Sequence, residues 1–177
     1  MARLHSMKYN KKPCLNINVE YYTNLKYYRN VGVHGRVNKL GVPSFVFSRE
    51  EFIAGVPILE KLAEYDVCLI VLAGFMNKIS DVILQAFPGK IVNIHPALLP
   101  KYGGKGMYGM HVHEAVVKAG ERESGITIHY INEHYDEGAI IFQASCPVLP
   151  SDTPEEVASK VHALEYAHYP HVIESLL

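Results

Sequence analysis

Hydrophobic positions along this chain follow two periods. Residues 68–73, CLIVLA, are apolar without interruption, the pattern of a strand buried on both faces as in a parallel sheet. In residues 124–143, SGITIHYINEHYDEGAIIFQ, Ile126, Ile128 and Tyr130 alternate with polar neighbours, and a polar stretch from Asn132 to Gly138 precedes a second apolar run. That pattern predicts a strand, a loop carrying Asp136 and another strand. A β-branched run at Ile91, Val92 and Ile94 predicts one more strand. Helical spacing fills the intervals. Ser48 and Glu51 form a capping box before Phe52, Ile53, Val56, Leu59 and Leu62, an apolar face interrupted by Pro57. Ser80 caps a short helix reaching Phe87. Thr153, Pro154 and Glu156 open a last helix in which Val157, Val161, Leu164 and Ala167 or His168 recur, with Glu165 on a flanking face. Upstream, GVHGRVNKLG ends a helix at Gly41, and Val42 to Phe47 reads as a short strand. Strand and helix alternate up to Asn93, which argues for an α/β layer architecture.

Composition narrows the class. The 177 residues, 49% hydrophobic, suit one domain with a real core. A net charge of −1 and a pI near 6.8 exert no general pull toward nucleic acid or anionic membrane, so an anionic ligand must be held by local groups. Cys14, Cys68 and Cys146 are odd in number and widely spaced, which fits a reducing cytoplasm better than a disulfide framework. No apolar core follows the basic stretch ending at Lys12, and no run approaches membrane-spanning length, so a cytoplasmic protein is expected. Residues 1–31 read differently from 32–177: rich in Lys, Asn and Tyr, they hold no glycine and offer only the alternation Leu15, Ile17, Val19 of an edge strand. A mis-assigned start, a divergent strand and a disordered tail all fit that segment. Its Lys and Tyr content also fits single-stranded nucleic acid, but without a groove-forming pattern no such partner is expected.

Asn93 and His95 lie two residues apart, so an extended backbone points both the same way, amide beside imidazole. Pro96 and Pro100 then exclude a helix and stiffen the loop that follows. The pair suits chemistry at a carbonyl, because an amide N–H steadies a developing oxyanion while a histidine moves protons. Alone, a histidine at a strand end is more often structural, an aspartate such as Asp136 serves turns, and Glu165 reads as a surface carboxylate. In a doubly wound sheet ligands sit beyond the strand carboxyl ends, so GFMNKI at 74–79 and HPALLP at 95–100 should face one another, although Phe75 and Met76 fit a core equally well. Residues 101–113, KYGGKGMYGMHVH, read as a loop whose four glycines permit close backbone approach. Lys101, Lys105, His111 and His113 add positive potential there, with the two lysines ordinarily just solvated. His95, His111, His113 and His129 suggest a metal, but no HExxH pattern or cysteine pair accompanies them, and no metal is expected.

NIHPALLPKY at 93–102 followed by HYDEGAII at 134–141 resembles the signature of the phosphoribosylglycinamide formyltransferase family, folate-dependent enzymes of purine synthesis. VLAGFM at 71–76, GITIH at 125–129 and EYAHYP at 165–170 extend the resemblance over about residues 32–177. It implies a three-layer α/β fold, an open and mostly parallel twisted sheet with helices on both faces. The family's first strand and its glycine-rich phosphate loop have no recognisable counterpart in residues 1–31 and are missing or replaced. The resemblance further implies formyl transfer from 10-formyltetrahydrofolate to glycinamide ribonucleotide by direct attack of the amine. Asn93, His95 and Asp136 would be catalytic. Met76, Asn77, Lys78 and Ile79, with Asn93 and Asp136, would hold the folate; His95, Pro96, His113 and Glu165 would hold the ribonucleotide. It also implies small-molecule partners and a monomer or weak homodimer. Formyltetrahydrofolate hydrolase and methionyl-tRNA formyltransferase share the Asn, His and Asp arrangement, and a non-catalytic folate binder or a truncated product are further alternatives.

Overall fold

The structure is a computed structural model that describes Pro43, Phe45 and residues 47–75 and 77–177. The expectations for residues 1–31, for a helix ending at Gly41, and for most of the strand at 42–47 lie outside the described residues. Within them the chain divides into two compact units, one of residues up to 71 together with 79–90, the other of residues 72–78 and 91–177.

The first unit opens with α1 (Arg49–Ala54) and α2 (Val56–Glu64). The single helix expected from the apolar spacing is two, because the chain breaks at Gly55 with φ 75°. Pro57 then falls in the first turn of α2, where its missing N–H costs no hydrogen bond. The break also turns the apolar face. Phe52, Ile58 and Leu62 are buried, whereas Ile53 and Val56, both expected to pack inward, are 61% and 53% exposed. The capping box forms as expected: the Ser48 hydroxyl accepts from the Glu51 N–H at 3.1 Å, and the Glu51 carboxylate accepts from the Ser48 N–H at 2.7 Å. Downstream come β1 (Ile70–Leu72), whose last residue falls in the second unit and which is shorter than the 68–73 run, where Cys68 and Ala73 at the ends are exposed, and α3 (Asp81–Ala86). Ser80 occupies the N-cap of α3 without making the capping bond, and its buried hydroxyl has no partner.

The second unit holds β2 (Ile91–His95), α4 (Met110–Lys118), β3 (Glu123–Tyr130), β4 (Ile140–Pro147) and α5 (Pro154–Ser175). The strands of this unit form a sheet in the order β2-β3-β4. The open α/β sheet matches the expectation, but the β2–β3 and β3–β4 ladders are antiparallel, so a parallel arrangement does not extend to this half. All five residues of β2 are buried, as are residues 124–129 of β3. β4 alternates between exposed and half-buried positions, and a bulge between Ile128 and His129 shifts its register on β3. The loop expected over 101–113 ends at Gly109. Helix α4 follows it and buries Val112, His113 and Val116, while His111 faces solvent. In α5 the Thr153–Glu156 capping box forms, and the helix runs through Pro170 with Val157, Ala158, Val161, Tyr169 and Ile173 buried. Leu164 and His168 are half-buried and Ala167 is exposed, so the apolar stripe passes to Tyr169, whose phenol donates to the Leu72 carbonyl at 2.7 Å. Among the described residues no helix is long and apolar enough to cross a membrane.

Gly55 is required twice over, since its φ is positive and a Cβ there would stand 2.7 Å from Ser80 Oγ and 3.2 Å from Val82 Cβ. Gly55→Ala is therefore expected to destabilise the chain by about 2 kcal/mol. Urea denaturation measures this, and an unchanged midpoint would refute the steric account.

Candidate active site

Strand parity and register assemble the polar cluster. Asn93 and His95 alternate with Ile94 on β2, and Thr127 and His129 alternate with Ile128 on β3. The antiparallel pairing sets Asn93 opposite His129 and His95 opposite Thr127. All four are buried. Asp136 joins them from the loop between β3 and β4, at a positive φ of 57°. Its Oδ2 accepts from the Gly104 N–H at 2.8 Å and lies 3.7 Å from His95 Nδ1, while Oδ1 lies 3.7 Å from His129 Nε2.

The partners determine where the protons are. His129 Nδ1 lies 3.0 Å from the Tyr130 carbonyl, which only accepts, so Nδ1 carries the hydrogen. Burial lowers the pKa of His129, the Tyr130 carbonyl and Asp136 work against that, and His95 adds to it. A neutral ring leaves Nε2 as an acceptor, 3.4 Å from Asn93 Nδ2, which orients the asparagine amide. Asn93 Oδ1 is buried without a partner, and Nδ2 retains a second hydrogen. His95 Nε2 lies 2.7 Å from the Tyr102 carbonyl, so that nitrogen carries a hydrogen and Nδ1 faces Asp136. Thr127 Oγ1 is saturated: it donates to the Ala97 carbonyl at 2.7 Å and accepts from the Leu99 N–H at 2.9 Å and Gln143 Nε2 at 2.8 Å. The threonine thereby pins the loop that begins at Pro96. Such a cluster offers an N–H for a developing oxyanion, an imidazole for proton transfer and a carboxylate beside it.

The structure brings Asn93, His95 and Asp136 together and adds His129 to them. Reading the sequence alone singled out His129 only as a possible metal ligand. The signal that identifies it is period-two placement of polar side chains inside a strand whose other positions are Ile126 and Ile128. His113 and Glu165 sit on α4 and α5 around His162 rather than in the cluster. His113 is buried with Nδ1 unpartnered, its ring edge-on to His162 at 6.4 Å, and burial, then His162 and His95, hold its pKa down at about 4. Burial raises the Glu165 carboxyl while His162 opposes that. Asn77, Lys78 and Ile79 lie in the irregular stretch between β1 and α3, with the Ile79 side chain buried, and form no part of the bonded cluster just described; Met76 lies outside the described residues. A cleft of about 410 Å³ lined by Met110, Glu155, Ala158, Ser159, His162, Ala163 and Tyr166 runs along α5. It contains none of the converging groups, so the site is placed by chemistry and not by the size of that hollow.

Residues 22–173 match the formyl transferase family. Phosphoribosylglycinamide formyltransferase of Bacillus subtilis strain 168 is 39% identical over 146 residues, covering 80% of this chain and 72% of that protein. The chloroplastic phosphoribosylglycinamide formyltransferase of Arabidopsis thaliana is 42% identical over 141 residues, covering 77% of this chain and 48% of that one. This chain thus spans about half the length of its plant relative. The crystal structure of phosphoribosylglycinamide formyltransferase from Streptococcus pneumoniae TIGR4 shares the fold with a TM-score of 0.75 and 36% identity, over 84% of this chain and 82% of the other.

Two outcomes follow for stability. Thr127→Val removes a buried hydroxyl with three hydrogen-bond partners while keeping its volume, and is expected to cost about 2–3 kcal/mol in chemical denaturation. For His113, a folded-state pKa of about 4 lies below the ordinary 6.5, so the unfolded chain takes up the proton first and stability falls as pH drops through that window. His113→Leu is expected to flatten the stability profile there by on the order of 2 kcal/mol, read from denaturation midpoints at successive pH values.

Proposed function

The chain belongs to the formyl transferase family, and on that premise we propose that it transfers a formyl group from 10-formyltetrahydrofolate to the primary amine of glycinamide ribonucleotide. One observation carries the reading: a buried amide, two imidazoles and a carboxylate converge, and the amide keeps unused hydrogen-bonding capacity. That spare capacity fits a formyl-bearing folate, which when bound supplies the carbon to be transferred. The relatives' names favour the ribonucleotide amine as acceptor over the water or tRNA of related formyl-folate enzymes. We assign the folate to Met76, Asn77, Lys78 and Ile79 with Asn93 and Asp136, and the ribonucleotide to His95, Pro96, His113 and Glu165. We place it in the cytoplasm with small-molecule partners, as a monomer or weak homodimer; its nearly neutral charge exerts no general pull toward nucleic acid or anionic membrane.

In this mechanism Asn93, held by neutral His129, donates its second Nδ2 hydrogen to the oxygen that gains negative charge as the amine attacks. His95 takes up at Nδ1 the proton that leaves the attacking amine, with Asp136 3.7 Å away to relay it and to stabilise the charge so formed, and returns it to the folate nitrogen as the bond between that nitrogen and the formyl carbon breaks. The Thr127 hydroxyl is fully engaged and the other cluster members are amide, imidazole and carboxylate, which supports direct transfer without a covalent enzyme intermediate.

In an assay supplying both substrates, Asn93→Ala and His95→Ala are each expected to lower kcat by about 10²–10³-fold while folate binding stays measurable by calorimetry. Full turnover in either variant would overturn the assigned roles.

A further inference from the structure

We propose that Tyr102 and Glu121 form a positioning clamp that decides which nitrogen of His95 carries its proton. The inference deepens the reading above and rests on it for what that proton does. Tyr102 has a φ of 56°, a left-handed conformation that disfavours side chains, although Gly103 and Gly104 immediately follow it in the same loop. A tyrosine kept there needs an external hold, and the structure supplies one. The Tyr102 hydroxyl donates to Glu121 Oε1 at 3.0 Å, and Lys101 Nζ donates to both Glu121 oxygens at 3.0 and 3.2 Å. Lys101, and after it Tyr102, depress the Glu121 carboxyl pKa, so the acceptor is a carboxylate at neutral pH.

The consequence reaches the site through the backbone. With its ring tethered, Tyr102 aims its carbonyl at His95 Nε2, 2.7 Å away. Two residues on, the Gly104 N–H holds Asp136 Oδ2 at 2.8 Å. One short segment therefore grips the outer nitrogen of His95 and the carboxylate facing the inner one. Should the ring be released, Tyr102 can relax to negative φ and withdraw its carbonyl. Nε2–H then loses its acceptor, and the competing tautomer, with Nδ1–H donated to Asp136, becomes the better-bonded form. That tautomer carries a hydrogen at the nitrogen the mechanism needs open. Tyr102 and Glu121 touch no reacting atom in this scheme; they act through His95.

The test uses the full chain labelled with ¹⁵N-histidine, with His95 signals followed by NMR alongside steady-state kinetics. The wild-type chain should show the Nε2–H pattern. Tyr102→Phe and Glu121→Ala should move it toward the Nδ1–H pattern and lower kcat roughly tenfold, with KM for both substrates within about twofold. Glu121→Gln keeps an acceptor oxygen for the phenol and should recover most of both properties. Wild-type His95 shifts in the two disruptive variants would overturn the proposal, as would a fall in kcat unaccompanied by a tautomer change. A tautomer that responds as expected in a chain that transfers no formyl group would sustain the clamp and defeat the functional reading instead.

Discussion

The register of β2 against β3 is the constraint on which the site depends. Because side chains alternate sides along a strand, a slip of one position would turn Ile94 or Ile128 toward Asp136 and carry the polar residues to the other face. The pairing is held from several directions. Ile126 and Ile128 are fully buried on the opposite face, and the Ile131 N–H reaches the Ile91 carbonyl at 2.9 Å just beyond the ladder. The Thr127 hydroxyl adds two bonds to the backbone of the loop leaving β2, so the strand end and the loop move as one piece. Tyr169 contributes from α5 by bonding the Leu72 carbonyl, and it lies 3.4 Å from that of Val92.

Concentrating four polar side chains inside a sheet is costly unless each finds a partner. The structure meets that demand mostly with neutral groups. His129 stays uncharged because burial outweighs the pull of Asp136, and its lone pair receives the Asn93 amide. The cluster's carboxylate is confined to the rim: Asp136 comes from a loop, keeps 14% of its side chain exposed, and is bonded by a backbone N–H. The Gly104 amide and the exposed edge thus share the work of solvating it.

How much of this was legible in the sequence depends on whether the determinant is local. The capping boxes at Ser48 and Thr153 are read from four consecutive residues, and both form. The shared side of Asn93 and His95 follows from strand parity alone. The break at Gly55 was obscured because apolar residues continue across it at near-helical spacing, and only tight packing against Ser80 and Val82 marks the site as needing glycine. Helix α4 was missed because its start lies among the glycines of KYGGKGMYG and its inward face is partly histidine. The partnership of Asn93 with His129 joins residues 36 apart and is a property of register, which no window of sequence contains. The antiparallel sense of the β2–β3 ladder was likewise hidden, since an apolar strand reads the same in either direction.

Within the cluster, residual hydrogen-bonding capacity separates scaffolding from chemistry. Thr127 and Asn93 are both buried and two positions apart in the ladder, yet every bond Thr127 can make is already made, while the carbonyl oxygen of Asn93 makes none. An unsatisfied buried oxygen costs stability on the order of 1–3 kcal/mol, and such a cost is retained where a ligand relieves it. The criterion is insufficient alone. The Ser80 and Ser124 hydroxyls are also buried without partners, yet Ser80 lies against Gly55 and Ser124 sits opposite Cys146 at the far end of β3. What distinguishes Asn93 is coincidence: its unused capacity occurs where a neutral imidazole orients it and a second imidazole faces a carboxylate, so binding and proton movement share one place.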